Sequence, residues 1–344
     1  MNELVIRGEV AECFPGLAEG MKRAAELFDA VQSFEDLERT FLKGAGLSEN
    51  SYRSYLTAVR QFYQYTHGLH PLKVRAGDIE AFYDHLVERV GRNTARLRIL
   101  GLKRFFAGVE QAVPFYRSPF ADMEPRLVKK LSRTDKTKLG KALTAAEVRR
   151  LLEHLGKDSS VLGLENLAVV RMLLATGLRA AELCALRWKD LERDEDSGTW
   201  YACGVGKGGK PFRQEVAIPG VVEAAECYFR AHLRRRPRPE DAVFWSMETN
   251  PKDPARPICP NTLFLRIRKI GQQAKVAGTV TREVAWSPHL FRRTAGTLLD
   301  KAHMSPVSIQ RFLRHSSLAT TARFYICDSE PAAGYFAKLF EATG

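Results

Sequence analysis

Cysteine is scarce in this sequence and scattered: Cys13, Cys184, Cys203, Cys227, Cys259 and Cys327 include no C-x-x-C pair. That spacing suggests neither a zinc site nor a disulfide framework, and reduced thiols fit a cytosol. No apolar run approaches the roughly 20 residues that span a bilayer. The first residues also lack the basic-then-apolar layout of a secretory signal, so a cytoplasmic protein without a membrane partner is expected. Neither a Walker loop nor a carboxylate cluster suited to magnesium is present, so no metal or nucleotide cofactor is expected. No internal repeat is evident. Acidic residues are in deficit as well: 40 Asp and Glu stand against 53 Lys and Arg, for a net charge of +13. Such an excess favours a polyanionic partner, because each cation set against a phosphate releases condensed counterions. The remaining composition, 45% hydrophobic and 27% charged over 344 residues, is that of a globular chain long enough for two separate cores.

The patterning predicts a mainly α fold with a small antiparallel β-sheet. Residues 1–32 form an N-terminal extension of unassigned role, with an amphipathic stretch near GLAEGMKRAAELFDAV. Residues 33–125 read as a helical domain. Ser33 is placed to cap its first helix, Tyr52, Tyr55, Leu56, Val59, Phe62 and Tyr63 form one apolar stripe on the second, and Asn93 is placed to cap the fourth. These helices carry Arg53, Arg60, Arg96 and Lys103, which are candidates for phosphate contact as well as ordinary solvated positions. Residues 126–141 combine density of positive charge, including Lys129, Lys130 and Arg133, with little apolar content. They are expected to be a basic linker running along a nucleic acid backbone. A second domain, 142–344, opens with Thr144 and Glu147 spaced as a capping box.

Chemistry concentrates in that second domain. In LENLAVVRMLLATGLRAAELCALRW a buried helix breaks at Thr176-Gly177 and a new helix opens at Arg179, in whose first turn the guanidinium can face an anion. Glu182, three residues on, can hold it in place. TWYACGVGKGGKPFRQEVAIP alternates like two strands about a glycine-rich turn, with Lys207 at the tip as a proton donor and Lys210 as its rival. SPHLFRRTAGTLL puts His289 and Arg292 on one helical face, with Arg293 nearby as a second candidate for phosphate. His315 follows an apolar helix at its C-terminal end, where the dipole favours a protonated ring. Tyr325 comes ten residues later, directly after Phe324. A tyrosine hydroxyl with a pKa near 10 needs a base and surrounding cations to become a nucleophile. Guanidiniums and imidazoles can then compensate the charge on a five-coordinate phosphorus.

In order and spacing, the motifs ATGLRAAELCALRW, GKGGK, HLFR and LRHSSLATT followed by tyrosine resemble those of tyrosine recombinases of the phage integrase family, from about residue 33 to the end. The resemblance implies an N-terminal SAM-like core-binding domain and a catalytic domain that clamp duplex DNA. It implies a tetramer on two recombination sites, strand cleavage through a 3′-phosphotyrosine without cofactor, accessory DNA-bending proteins in some cases, and a place in the nucleoid. It assigns catalytic positions to Arg179, Lys207, His289, Arg292 and His315, a supporting one to Glu182, and a final packing helix to 331–342. Two positions depart from the pattern. Arg314 stands where the family commonly has glycine, and Phe324 stands where it has its tyrosine, nine residues after the histidine. Either Tyr325 is the nucleophile in a shifted register, or the chain has lost its nucleophile, or Phe324 is a substituted tyrosine. A shift of one residue rotates a helical side chain by about 100°. The competing readings are a catalytically inactive DNA-binding protein of the same fold, and a type IB topoisomerase or telomere resolvase.

Overall fold

A computed structural model of the chain describes residues 47–112, 116–121, 123–133, 141–206, 208–245 and 256–315, together with Leu42, Asp253 and Pro254. The N-terminal extension, the helix at 33, Lys207, Phe324, Tyr325 and the 331–342 helix lie outside the described residues, Leu42 apart. The chain divides into two compact units, residues 1–138 and 139–344.

In the first unit, α1 (Glu49–Tyr65), α2 (Ala76–Val90), α3 (Arg92–Ala112) and α4 (Pro125–Ser132) surround an aromatic core. Ser48 caps α1 by accepting the Ser51 N–H at 3.4 Å. Phe62 of the expected stripe is fully buried and meets Phe82 and Phe106 edge to face, with centroids 5.3 and 6.2 Å apart. α1 and α3 can approach closely because residue 101 is glycine: a Cβ there would lie 2.9 Å from Ala58 Cβ and 3.0 Å from Tyr55 Cα.

Two expectations are corrected in this unit. Asn93 does not cap α3. Gly91, at φ 78°, ends α2 and its carbonyl accepts the Ala95 N–H at 3.0 Å, so the helix starts at Arg92 and Asn93 falls in its first turn. The expected linker does not begin at 126 either. Residues up to Ser132 are helical, and Leu131 is 6% exposed within the first core. Charge density alone hid an amphipathic turn, because Leu127 and Leu131, four apart, provide a narrow apolar edge among the cations.

The second unit comprises α5 (Ala145–Gly156), α6 (Val161–Thr176), α7 (Ala180–Ala185), β1 (Leu191–Arg193), β2 (Trp200–Val205), β3 (Pro211–Glu215), α8 (Val221–Leu233), α9 (Pro260–Val276), α10 (Pro288–Lys301) and α11 (Pro306–Leu313). α6 is apolar all round and therefore central, with α5, α8 and α10 packed on it. Its one carboxylate in the core, Glu165, is answered by an ion pair from Arg266 of α9. The Thr144 and Glu147 capping box forms, at 3.2 and 2.7 Å. Glu147 also receives Arg282 at 2.7 Å, which holds its carboxyl down at about 2, with burial opposing and the Thr144 N–H assisting. The expected hairpin is β2–β3, extended by β1 into an antiparallel sheet of order β1-β2-β3. Sequence pattern did not single out β1, a strand of only three residues, LER.

Candidate active site

Where α6 ends, Gly177 adopts φ 58°, a left-handed cap that a Cβ would strain. The space is also closed, since a Cβ there would come within 3.1 Å of Leu313 and 3.2 Å of Phe312. The C-terminal ends of α6 and α11 therefore meet. Arg292 of α10, only 2% exposed, joins them by donating from Nη1 to the Gly177 carbonyl and from Nη2 to the Leu313 carbonyl. The two arginines that spacing left open differ in burial. Arg292 is built into the junction, and Arg293 is half-buried beside His289, whose protonation it disfavours. Behind the site, the buried Thr294 hydroxyl accepts the Leu143 N–H at 3.0 Å and ties α10 to the segment entering α5.

Arg179 is the N-cap of α7, one position before the expected first turn, and that helix is only six residues long. Glu182 makes the arrangement anticipated for it. It accepts the Arg179 N–H at 2.9 Å through Oε2 and the Arg179 Nη1 at 2.9 Å through Oε1. The Arg179 side chain keeps 38% exposure and so remains accessible to a ligand, whereas the Glu182 side chain keeps 4%. Burial alone would raise the Glu182 pKa, but the Arg179 N–H and the Arg314 guanidinium overcome it and leave the carboxyl below its usual range. Arg314 was not anticipated in this role. Its Nη2 donates to Glu182 Oε2 at 2.5 Å, and its guanidinium carbon lies 4.1 Å from the Phe212 ring centre. The residue caps α11 at φ 51°, a left-handed conformation that explains why glycine suits the position.

His289 and His315 face the same cations. The His289 pKa is lowered by burial and then by Arg293, Arg292 and Arg179. His315 is pushed down to about 4 by burial, then by Arg292, Arg179 and His289. The shift runs against the expected protonated His315. Its main-chain N–H does close α11, on the Gln310 carbonyl at 3.0 Å, but burial beside two guanidiniums outweighs the helix dipole. Arg179, Glu182, His289, Arg292 and His315 are brought together. Lys207 and Tyr325, with Phe324, lie outside the described residues. The root of the Lys207 turn is nonetheless close to the cluster, since a Cβ at Gly206 would be 3.2 Å from Glu182 Oε1. Lys210, its rival, is exposed, and its carbonyl closes the turn by accepting the Gly206 N–H at 2.7 Å.

The candidate DNA contacts of the first unit fall on three helices. Arg53 and Arg60 are exposed on α1 at i and i+7, although Arg53 already pairs with Glu49 at 2.9 Å. On α3, Arg96 is half-buried and Lys103 exposed. Lys129 of α4 and Arg133, the residue that ends it, line a groove of about 690 Å³ with Arg92 and Arg126. Lys130 lines it too, but its ammonium is held by Glu80 and Asp84, both at 2.7 Å, and those partners raise its pKa. Its charge serves to pin α4 onto α2.

Residues 141–330, more than half of the chain, match the Phage integrase family, and residues 34–112 match the Phage integrase, N-terminal SAM-like domain. The tyrosine recombinase XerA of Pyrococcus furiosus is 27% identical over 285 residues, a span of 82% of this chain and 85% of that protein. The tyrosine recombinase XerD of Shewanella oneidensis is 28% identical over 285 residues, 80% and 85% of the two chains. Among solved structures, the XerH site-specific recombinase in a post-cleavage complex with palindromic difH substrate has a TM-score of 0.65 at 17% identity, covering 89% of this chain and 84% of that one. The Tn1549 transposon integrase in complex with circular intermediate DNA has a TM-score of 0.63 at 19% identity, covering 88% and 97%. At such identities the likeness to solved structures is one of fold.

Proposed function

The chain belongs to the phage integrase family of tyrosine recombinases, and from that premise we propose that the clustered residues form its strand-exchange site, acting on a phosphodiester of duplex DNA. The observation that carries the assignment is the convergence of Arg179 and Arg292 on the end of α11, where they reach the Arg314 and Leu313 carbonyls beside His315; burial and then these charges disfavour a proton on His289 and His315. Arginines that suppress a proton on histidine are placed to attract an anion instead. In this reading Tyr325 Oη attacks phosphorus and gives its proton to neutral His289. The bond to the 5′ oxygen breaks as the 3′-phosphotyrosine forms, and Lys207 delivers a proton to the departing alkoxide. Arg179, Arg292 and an N–H of His315 compensate the charge that gathers on the non-bridging oxygens. Religation reverses each transfer, so neither bond energy nor protons are consumed. Glu182 orients Arg179.

The DNA-bound state of the XerH and Tn1549 relatives supports a duplex partner for this chain as well. We place the reaction in a tetramer on two sites, on cytoplasmic DNA, with DNA-bending accessory proteins where the sites require them. Among the described residues no helix is long and apolar enough to cross a membrane. The grooved face carrying Arg92, Arg126, Lys129 and Arg133 is assigned to backbone phosphates, joined by Arg53, Arg60, Arg96 and Lys103.

The test uses a nicked suicide duplex built on the site that the protein itself selects from a random duplex library. This chain is expected to give a covalent protein–DNA band that Tyr325→Phe abolishes. If instead only Phe324→Tyr gives the band, the chain is a recombinase without its nucleophile, a reading that Phe324 at the customary position favours. No band from any of the three would defeat the assignment of strand exchange.

A further inference from the structure

Arg314 stands out among the described residues because its backbone works against it while its side chain engages both Glu182 and Phe212. At φ 51° it occupies a conformation that a residue with a Cβ disfavours. An unfavourable backbone kept by a long cationic side chain points to a role for that side chain. Nη2 reaches Glu182 Oε2 at 2.5 Å, the guanidinium carbon lies over the Phe212 ring of β3, and the Nε–H is buried without an acceptor among the described residues. Its main-chain carbonyl, meanwhile, faces Arg179 Nη2 at 3.5 Å.

We propose that Arg314 is a positioning residue of the site, which shares the Glu182 carboxylate so that the charge of Arg179 stays available to a phosphate, and which seats the β2–β3 hairpin beside that pair. Arg179 and Glu182 alone would form a neutral couple with little net field for an anion. A second guanidinium on the same carboxylate gives the three groups a net charge of +1, in a pocket where Glu182 keeps only 4% side-chain exposure and screening by water is weak. The second contact follows from the hairpin. Phe212 sits in β3 opposite Gly204 of β2, one residue beyond the start of the strand that leaves the Lys207 turn, so a guanidinium lying on its ring fixes the base of that turn. The carboxylate of Glu182 thus binds the Arg179 cap and the end of α11, and the root of the hairpin lies beside it, where a Cβ at Gly206 would come within 3.2 Å of Oε1.

The proposal rests on the reading of Arg179 as a phosphate ligand, and the experiment separates the two. Inorganic phosphate is titrated into the full chain while the imidazole resonances of His289 and His315 are followed by NMR. Arg314→Gly, Arg314→Lys, Arg314→Met and Arg179→Ala are compared with the original chain. Arg314→Gly relieves the left-handed backbone, so its Tm is expected to hold or rise while phosphate binds roughly tenfold more weakly, the scale of one charge-assisted hydrogen bond. A purely structural role would move the two in the same direction. Arg314→Lys keeps the charge and is expected to recover most of the affinity. Should the glycine variant not fold, Arg314→Met, similar in length and neutral, must show the same tenfold loss. Phosphate affinity within twofold of the original chain for Arg314→Gly or Arg314→Met, with Arg179→Ala impaired, overturns the role of Arg314 alone. Affinity unchanged in Arg179→Ala overturns it together with the phosphate site on which it rests.

Discussion

His315 ends a helix, where a positive ring would gain from the dipole, yet its pKa is pushed down to about 4 because burial and two guanidiniums disfavour a further charge. His289 is shifted in the same direction, toward the neutral form, which in the proposed mechanism suits it to accept a proton and leaves the cationic work to the arginines. The consequence for stability has a definite sign. Between the ordinary histidine value of 6.5 and about 4, the unfolded chain binds a proton at His315 that the folded chain does not. Stability therefore falls as pH is lowered through that window, and His289, shifted in the same direction, adds to the fall. Glu182, held below its usual range, acts in the next window down. Its contribution is present above the ordinary carboxylate value and is lost as protons displace Arg179 and Arg314. NMR titration of the free protein is expected to show the His315 ring unchanged from pH 8 to pH 5 and titrating near 4. Saturating phosphate should raise that value, since the anion offsets the guanidiniums. A ring that titrates at its ordinary value, with or without phosphate, would mean that it is neither buried nor faced by Arg179 and Arg292.

α1 and α3 illustrate how far the elements of this protein follow from their sequence, and where a further prediction lies. Both are amphipathic, and the stripe through Val59 and Phe62 was readable because apolar residues recur at helical spacing. The closeness of the pair was not, because it depends on one atom that is missing. Gly101→Ala adds a methyl 2.9 Å from Ala58 Cβ and 3.0 Å from the Tyr55 backbone, which cannot move aside as a side chain would. Such overpacking costs about 1–3 kcal/mol. Urea unfolding of the first unit is expected to show a midpoint lowered accordingly, and Gly101→Ala as stable as the original would mean that the helices are not in contact there. Each element that periodicity misplaced has its own physical cause. α4 carries too narrow an apolar edge to stand out from its lysines and arginines, β1 is too short for alternation to register, and α3 is started by the backbone of Gly91 and needs no polar cap. Thr144, read as a cap from its spacing to Glu147, does accept the N–H three residues on, and Ser48 and Ser305 do the same although the pattern did not single them out.

For the molecule as a whole, the sequence carried the identity of the clustered residues but not their mutual bookkeeping of charge. Arg179, Glu182, His289, Arg292 and His315 could be picked out by type and spacing, whereas the pairing of Arg314 with Glu182 spans 132 positions and only folding brings it about. The net charge of +13 is legible in the same limited way, for it says how much positive charge there is and not how much of it is free. Lys129 and Lys130 are neighbours in α4 that composition cannot tell apart. Lys130 is neutralised within the unit by Glu80 and Asp84, while Lys129 and Arg133 are exposed on the groove. Each cation that meets a phosphate contributes about 0.9 to the slope of log affinity against log salt on duplex DNA. Lys129→Ala and Arg133→Ala are therefore expected each to flatten that slope by roughly 1, measured by fluorescence anisotropy on a non-specific duplex. Lys130→Ala should leave the slope unchanged and lower the Tm instead, because removing it frees α4 from α2 and leaves two carboxylates unanswered. A slope that flattens equally for all three would mean that Lys130 exchanges its carboxylates for phosphate when DNA binds, which would make the Glu80, Asp84 and Lys130 cluster part of the DNA contact and not a clasp for α4.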